Sequence, residues 1–340
     1  MINELINRYK NFRKRNYLNL AYKHKYAFIG IGHHSMNNLY PVLDYLRVPL
    51  KYIVVSSEKN AEIIDKKFEG VIGTNDLEKV LNDPEIQGVL ICASPQSHFA
   101  LIKKSLEHNK HVFVEKPPCG SEAELHELIE VEKNSKGTCL IGLQKCYAPI
   151  INTLKKNLKT GIISYNYRFV TGAYPEGDNV LDIFIHPLNL ITYLFGGSEV
   201  LSVQQSPNGT SFIHLKHDKC LGSIELSTEY SWKNAEEMLI INTEAGVYSM
   251  KNMEYLDFQK KSKLLFSIPL EKVIKSKDYL HVLYNRNNFS PIPESNQLYT
   301  SGYYHEIKTF IDICETGKGS NTTQLTDMIS TYKLIKHLKK

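Results

Sequence analysis

The order of apolar runs constrains this chain more than any other feature. From residue 25 to residue 144, short runs rich in β-branched and aromatic residues alternate with stretches of helical spacing. KYAFIGIGHHS (25–35), KYIVVSS (51–57), GVLICAS (88–94), HVFVEKP (111–117) and TCLIGLQ (138–144) read as buried strands. LYPVLDYLRVPL (39–50), EKNAEIIDKKF (58–68), DLEKVLNDPEI (76–86), SHFALIKKSLEHN (97–109) and SEAELHELIEVEKNS (121–135) read as helices, and VIGTN as a short strand and turn. Asp76 stands as an N-cap, and Ser121 with Glu124 forms a capping box. Strands and helices joined in strict alternation by short loops build a parallel sheet covered on both faces.

After residue 145 the pattern changes. Strand-like segments at 163–174, 201–206, 210–217, 221–230, 236–250 and 253–259 follow one another without helices between them, as in an antiparallel sheet. One helix, LDIFIHPLNLITYLFGG, interrupts them, with Gly196 and Gly197 as C-cap candidates. Helical spacing returns at 301–317 and 324–340. The expected fold class is α/β: a Rossmann-type doubly wound parallel sheet followed by an α+β domain with an open, mainly antiparallel sheet. The expected division is a basic arm (1–24), a dinucleotide-binding domain (25–145) and a substrate and oligomerisation domain (146–340). The last helices are free to pack back on the first domain.

Composition narrows the class of function. The 340 residues have room for two domains, and no apolar run reaches the roughly 18–20 residues that span a bilayer. The first twenty residues lack a signal-type apolar stretch, so cytoplasmic residence is the expectation. Six cysteines lie scattered without a CxxC pair, which excludes a zinc framework or a secreted disulfide scaffold. The net charge of +5 belongs to one place. Residues 1–25 carry seven basic side chains and one acid, a net of +6, which leaves the remainder at −1. A nucleic-acid partner is therefore not expected. The arm, with Tyr9, Phe12 and Tyr17 interleaved, reads as a solvated helix or an oligomer contact, or else as an amphipathic helix making weak contact with a membrane surface.

Three short motifs carry chemistry. Gly30-Ile31-Gly32-His33-His34-Ser35 joins a strand to a helix. Gly30 allows the tight turn, Gly32 lets a pyrophosphate approach the backbone, and Ser35 takes the place of the third small residue. The second strand ends in Ser56-Ser57, followed by Glu58 and Lys59. Hydroxyls with a nearby lysine suit a 2′-phosphate, so the cofactor reading is NADP or NAD with a lean to NADP. Glu115-Lys116-Pro117-Pro118 closes another strand, placing a lysine beside the crevice where such sheets bind ligands. In VLDIFIHPLNL (180–190), Asp182 and His186 stand four residues apart, on one face of a helix. There Asp182 can hold the imidazole and raise its proton affinity, and His186 can take the proton of a hydroxyl that loses hydride to nicotinamide. Lys116 would polarise the same oxygen.

The set resembles the glucose–fructose oxidoreductase / inositol dehydrogenase / rhizopine-catabolism (Gfo/Idh/MocA) family across residues 25 to 340. The resemblance is carried by Gly30-Ile31-Gly32, Ala93-Ser94-Pro95 with His98, Glu115-Lys116-Pro117, Gly142 with Pro149, and Asp182-xxx-His186. It implies an NAD(P)-dependent oxidoreductase acting on sugars, nucleotide-sugars or cyclitols, assembled as a homo-oligomer (dimer or tetramer) through the open sheet. Lys116 would contact the nicotinamide ribose and substrate, His186 would exchange the hydroxyl proton, and Asp182 would support it. Cofactor contacts are then expected at Gly30, Gly32, His33, His34, Ser35, Ser56, Ser57, Lys59, Ala93, Ser94, Pro95, His98, Glu115, Lys116 and Gln144. Substrate contacts are expected at Lys145, Tyr147, Tyr174 and Asn189, and no metal is expected. Three positions depart from the family: Ser35, Lys145-Cys146 where two arginines are common, and Asn189 where an acid is usual. Two other readings stand beside this one: an imine or conjugated-ring reductase on the same fold, and a retired dinucleotide-binding regulator.

Overall fold

The computed structural model describes residues 2–18, 21–158, 161–262, 264–266, 268–272, 280–287, 289, 296–319 and 322–339; of residues 13–18 and 265 it describes the backbone alone. Arg13, Lys14, Arg15 and Tyr17 of the basic arm thus have side chains outside the described residues, and Lys340, to which the sequence reading carries the last helix, lies outside them too.

The arm is helix α1 (Ile2–Leu18). A six-stranded, wholly parallel sheet follows, made of β1 (Lys25–Ile29), β2 (Leu50–Val54), β3 (Ile72–Thr74), β4 (Ile86–Ile91), β5 (His111–Glu115) and β6 (Cys139–Gly142) in the order 3-2-1-4-5-6. Its central strands are buried on both faces, which is why they read as unbroken apolar runs. The crossovers are α2 (Tyr40–Tyr45), α3 (Glu58–Lys67), α4 (Leu77–Leu81), α5 (Pro95–Glu107) and α6 (Glu122–Lys133). Ser57, Asp76 and Ser121 cap α3, α4 and α6 by accepting main-chain N–H groups. Glu124 reaches one residue further than a capping box requires and accepts from the N–H of Gly120.

The second sheet has eight strands. After α7 (Pro149–Asn157) come β7 (Ile162–Val170), helix α8 (Ile185–Phe195), β8 (Glu199–Gln205), β9 (Thr210–Lys216), β10 (Leu221–Ser227), β11 (Glu236–Thr243), β12 (Gly246–Lys251) and β13 (Tyr255–Lys260). The small pair β14 (Leu264–Leu265) and β15 (Ile268–Pro269) precedes β16 (Leu280–Asn285). The order is 16-13-12-11-7-10-9-8, antiparallel except for β7 against β10. Strict alternation of buried residues along β9 and β11 covers one face, and α8 lies against it. Helices α9 (Gln297–Thr300), α10 (Tyr303–Thr316) and α11 (Met328–Leu338) close the chain. Ile307, Phe310, Ile311 and Cys314 of α10 share a core with Tyr26 and Phe28 of β1, so the chain returns to its first sheet.

Two helices differ from the sequence reading in the same way. The helix after the glycine turn opens with a π turn, Ser35–Leu39, and the helix carrying His186 opens with another, Val180–Phe184. A proline explains both. Pro41 and Pro187 have no N–H to give the carbonyl four residues back, and each of those carbonyls lies inside its π turn.

Candidate active site

The carboxyl ends of β1, β4 and β5 open into two grooves that meet at Gly32, Cys92 and Ala93. The outer groove, about 750 Å³, runs between the glycine turn and the end of β2, past Gly30, Ser56, Asn60, Ile63 and Ser94. The inner one, about 450 Å³, lies between the first sheet and α8 and is bounded by Lys116, His186, Gln144, Tyr174, Trp232 and Tyr303 among others.

The glycine turn suits a dinucleotide. Gly30 has φ +90°, and a Cβ there would stand 2.8 Å from the backbone of Ala93. At Gly32 the Cβ position faces open space with no heavy atom within 4 Å, so a phosphate can approach the chain. Ser35 is buried and locks this turn, accepting from Gly32 N–H at 2.9 Å and donating to Gly32 O at 3.0 Å. A third glycine could not do this.

His98 on α5 is a clamp. It is buried, with Nδ1 2.7 Å from Pro117 O and Nε2 2.9 Å from Ala93 O. It ties the loop after β4 to the loop after β5, which aims Lys116. Lys116 Nζ donates to the main-chain carbonyl of Asp182, bridging the first domain to the turn before α8. Burial pushes the Lys116 ammonium below its ordinary pKa, and the carboxylates of Glu115 and Asp182 oppose that. Glu115 also receives the Lys116 N–H at 3.3 Å and stands 3.3 Å from His34 Nε2.

His186 differs from the sequence reading in its support. Asp182 does not hold it: the Asp182 carboxylate accepts from Asp178 N–H at 2.9 Å, beneath Gly177, whose φ of +99° and missing Cβ leave room for it. Nδ1 of His186 is enclosed, with no protein partner among the described residues. Its pKa is lowered, not raised: burial leads, and Lys116, Lys145 and His34 add repulsion. The imidazole is therefore neutral at neutral pH.

Of the residues expected to touch cofactor, Gly30, Gly32, His34, Ser35, Ser56, Ala93, Ser94, Pro95, His98, Glu115, Lys116 and Gln144 line the two grooves. His33, Ser57 and Lys59 do not; Ser57 spends its hydroxyl on the α3 cap and Lys59 is exposed on that helix. Among expected substrate contacts only Tyr174 lines the inner groove. Lys145 stands behind Phe169 and pairs with buried Glu237 at 2.6 Å. Tyr147 is 5% exposed and bonds Thr323 at 3.0 Å, which corrects its reading as a substrate contact. Asn189 is corrected likewise. It is buried between α8 and α11, accepting from Cys146 Sγ and donating to Thr331 at 3.3 Å. Trp232, Tyr303, Phe169 and Ile183 complete the inner groove and escaped the sequence reading. Trp232 carried the one available signal, being the sole tryptophan of the chain. Its indole N–H donates to Ala173 O at 3.2 Å, and its ring lies 5.0 Å from that of Tyr174. No cluster of metal-ligating side chains occurs among the described residues.

The family model for an oxidoreductase family with an NAD-binding Rossmann fold matches residues 24–143. The chain is 30% identical over 141 residues to the NAD(+) scyllo-inositol 2-dehydrogenase of Bacillus subtilis, covering 38% of this chain and 41% of that protein. Matches to curated relatives span about half of those proteins' lengths or less, from 54% to 36%. Among solved structures, a dehydrogenase (MviM) from Clostridium difficile superposes with a TM-score of 0.75 at 18% identity, over 93% of this chain and 98% of that one. KijD10, a 3-ketoreductase from Actinomadura kijaniata crystallised with TDP-benzene and NADP, superposes with a TM-score of 0.69 at 14% identity, over 92% and 96%. The glycine turn, the six-stranded parallel order and the family match together place residues 24–143 with the NAD-binding Rossmann domains of the Gfo/Idh/MocA oxidoreductase family, and the two sheets together share the fold of the solved dehydrogenases.

Proposed function

We propose that this chain is an NAD(P)-dependent dehydrogenase or reductase working on a carbinol or carbonyl carbon of a sugar, nucleotide-sugar or cyclitol. The observation that carries the reading is the convergence of Lys116 and a neutral His186 on one groove continuous with the glycine turn. When bound, a nicotinamide dinucleotide supplies or accepts the hydride at its C4. Gly30, Gly32, Ser94 and Ala93 would hold it along the outer groove. In the oxidation direction the substrate carbon gives up its hydride, its hydroxyl proton passes to the neutral His186, and a carbonyl forms. Lys116, fixed by the Asp182 carbonyl, donates to the same oxygen and stabilises its developing charge. In reduction the proton returns from His186. Asp182 acts here on the turn and on Lys116, not on the imidazole.

The lean to NADP stays a proposal. It is supported by Ser56 at the tip of β2 and by the lack of any carboxylate among the described residues lining the outer groove. The dinucleotide and substrate classes follow the inositol dehydrogenase and ketoreductase likenesses. Homo-oligomer formation through the open face of the second sheet belongs to the same proposal.

The test uses Lys116→Ala and His186→Ala, assayed with NADP and with NAD against a panel of cyclitols and nucleotide-sugars. Each variant should lose roughly 10²-fold or more in kcat while dinucleotide binding stays largely intact. Near-parental turnover in both would overturn the assignment.

A further inference from the structure

Helix α1 has an apolar face that neither core uses. Ile2, Leu5, Ile6 and Phe12 recur at the spacing of one helical face, and they are 75, 63, 44 and 61% exposed. None of them belongs to either hydrophobic core. Contiguous apolar faces left in water mark interaction surfaces. The polar residues are ordered too. Over residues 2–12 of the helical wheel Arg8 falls at one edge of the apolar arc and Lys10 at the other, while Asn3, Asn7, Asn11 and Glu4 occupy the far side; Arg13 ends the apolar arc on the same face.

We infer that α1 docks in the plane of an anionic lipid surface, with its apolar face among the acyl chains and its basic edges at the headgroups. Charge selects this occupant. Residues 1–18 carry five basic side chains and one acid, a net of +4 in a chain whose total is +5. Two copies of α1 pressed face to face would bring the same cations together, whereas an anionic surface neutralises them. Basic residues flanking an Ile/Leu/Phe face are the composition of a helix that lies on a membrane. The helix does not cross it: no helix among the described residues is long and apolar enough to span a bilayer.

The full chain is sedimented with vesicles of equal parts phosphatidylglycerol and phosphatidylcholine, and separately with pure phosphatidylcholine vesicles. The chain should pellet with the anionic vesicles at low salt, be released by high salt, and stay in solution with the neutral ones. Arg8→Glu combined with Lys10→Glu should weaken anionic binding by roughly tenfold or more. Leu5→Glu combined with Ile6→Glu should abolish it. Dinucleotide binding should be unchanged in both, since α1 contributes nothing to the grooves. Equal partition to both vesicle types, or none to either, overturns the inference. So does a Leu5/Ile6 variant that changes particle mass in solution while pelleting as before, because the face would then bind a second copy.

Discussion

Two histidines border the same groove and are treated in opposite ways. His98, on the wall built by the first sheet, has both ring nitrogens against main-chain carbonyls. His186, on the wall built by α8, has an enclosed Nδ1 with no protein partner. Their neighbours follow suit. Ser35 satisfies its own turn, whereas the substrate-side wall offers a lysine bound only through a carbonyl and an aromatic pair left half in water. Unsatisfied buried polar atoms are costly, so they persist where a ligand completes them. The first wall holds its shape through its own hydrogen bonds, whereas the second keeps a buried ring nitrogen without a partner among the described residues.

The sharpest way to break this contrast is to truncate each ring. His98→Ala takes a ring N–H away from the main-chain carbonyls of Pro117 and Ala93 and empties a buried site, and should lower stability by about 1–3 kcal/mol, read as a drop in the unfolding midpoint. His186→Ala removes a group that already lacks a partner, so its unfolding midpoint should move far less while its turnover collapses. Equal loss of stability in both variants would mean that the two walls do not differ.

A smaller effect should appear in pH dependence. His186 accepts a proton only when neutral, and its folded pKa lies below the ordinary 6.5. The acid limb of kcat/KM should therefore fall below pH 6.5, and in His186→Gln the residual activity should lose that limb. Stability moves with the same sign. Below pH 6.5 the unfolded chain binds a proton that the folded chain refuses, so stability drops on acidification through this window. A limb centred above 6.5 would restore Asp182 as the partner of His186.

Much of the first wall was legible in the sequence because its signals are local. Gly30, Gly32 and Lys116 sit where strand ends put them, each within a few residues of the run that defines it. The second wall depends on distant docking. Spacing alone places Asn189 on α8, but contact with Thr331 turns it toward α11 and away from the inner groove. Tyr147 was misread for the same reason, through Thr323. The π turns arise from Pro41 and Pro187 acting on carbonyls four residues back, which apolar periodicity does not reveal. Trp232 reaches the groove from a loop and Tyr303 from the first turn of α10, and neither stretch of sequence carries a motif.

Tyr303 leads to the smallest prediction. It opens α10 after Gly302, whose φ of +101° lets the chain approach Gln144 O where a Cβ would stand at 2.0 Å. That close approach buries Glu306 completely, and neither carboxyl oxygen finds a partner of good geometry among the described residues. Burial first, and then the nearby Glu115, raise the Glu306 pKa well above the ordinary 4.5; the Leu143 N–H offsets only part of this. A carboxyl whose folded pKa is raised stabilises the fold most in acid and loses that contribution as pH rises. Glu306→Gln keeps the shape of the protonated form without titrating. The midpoint difference between variant and parent should therefore move in favour of the variant from about pH 5 to about pH 8, while KM for substrate stays put. A constant difference across that range would mean that Glu306 is ionised in the folded chain, and that the wall behind Glu115 holds a charge.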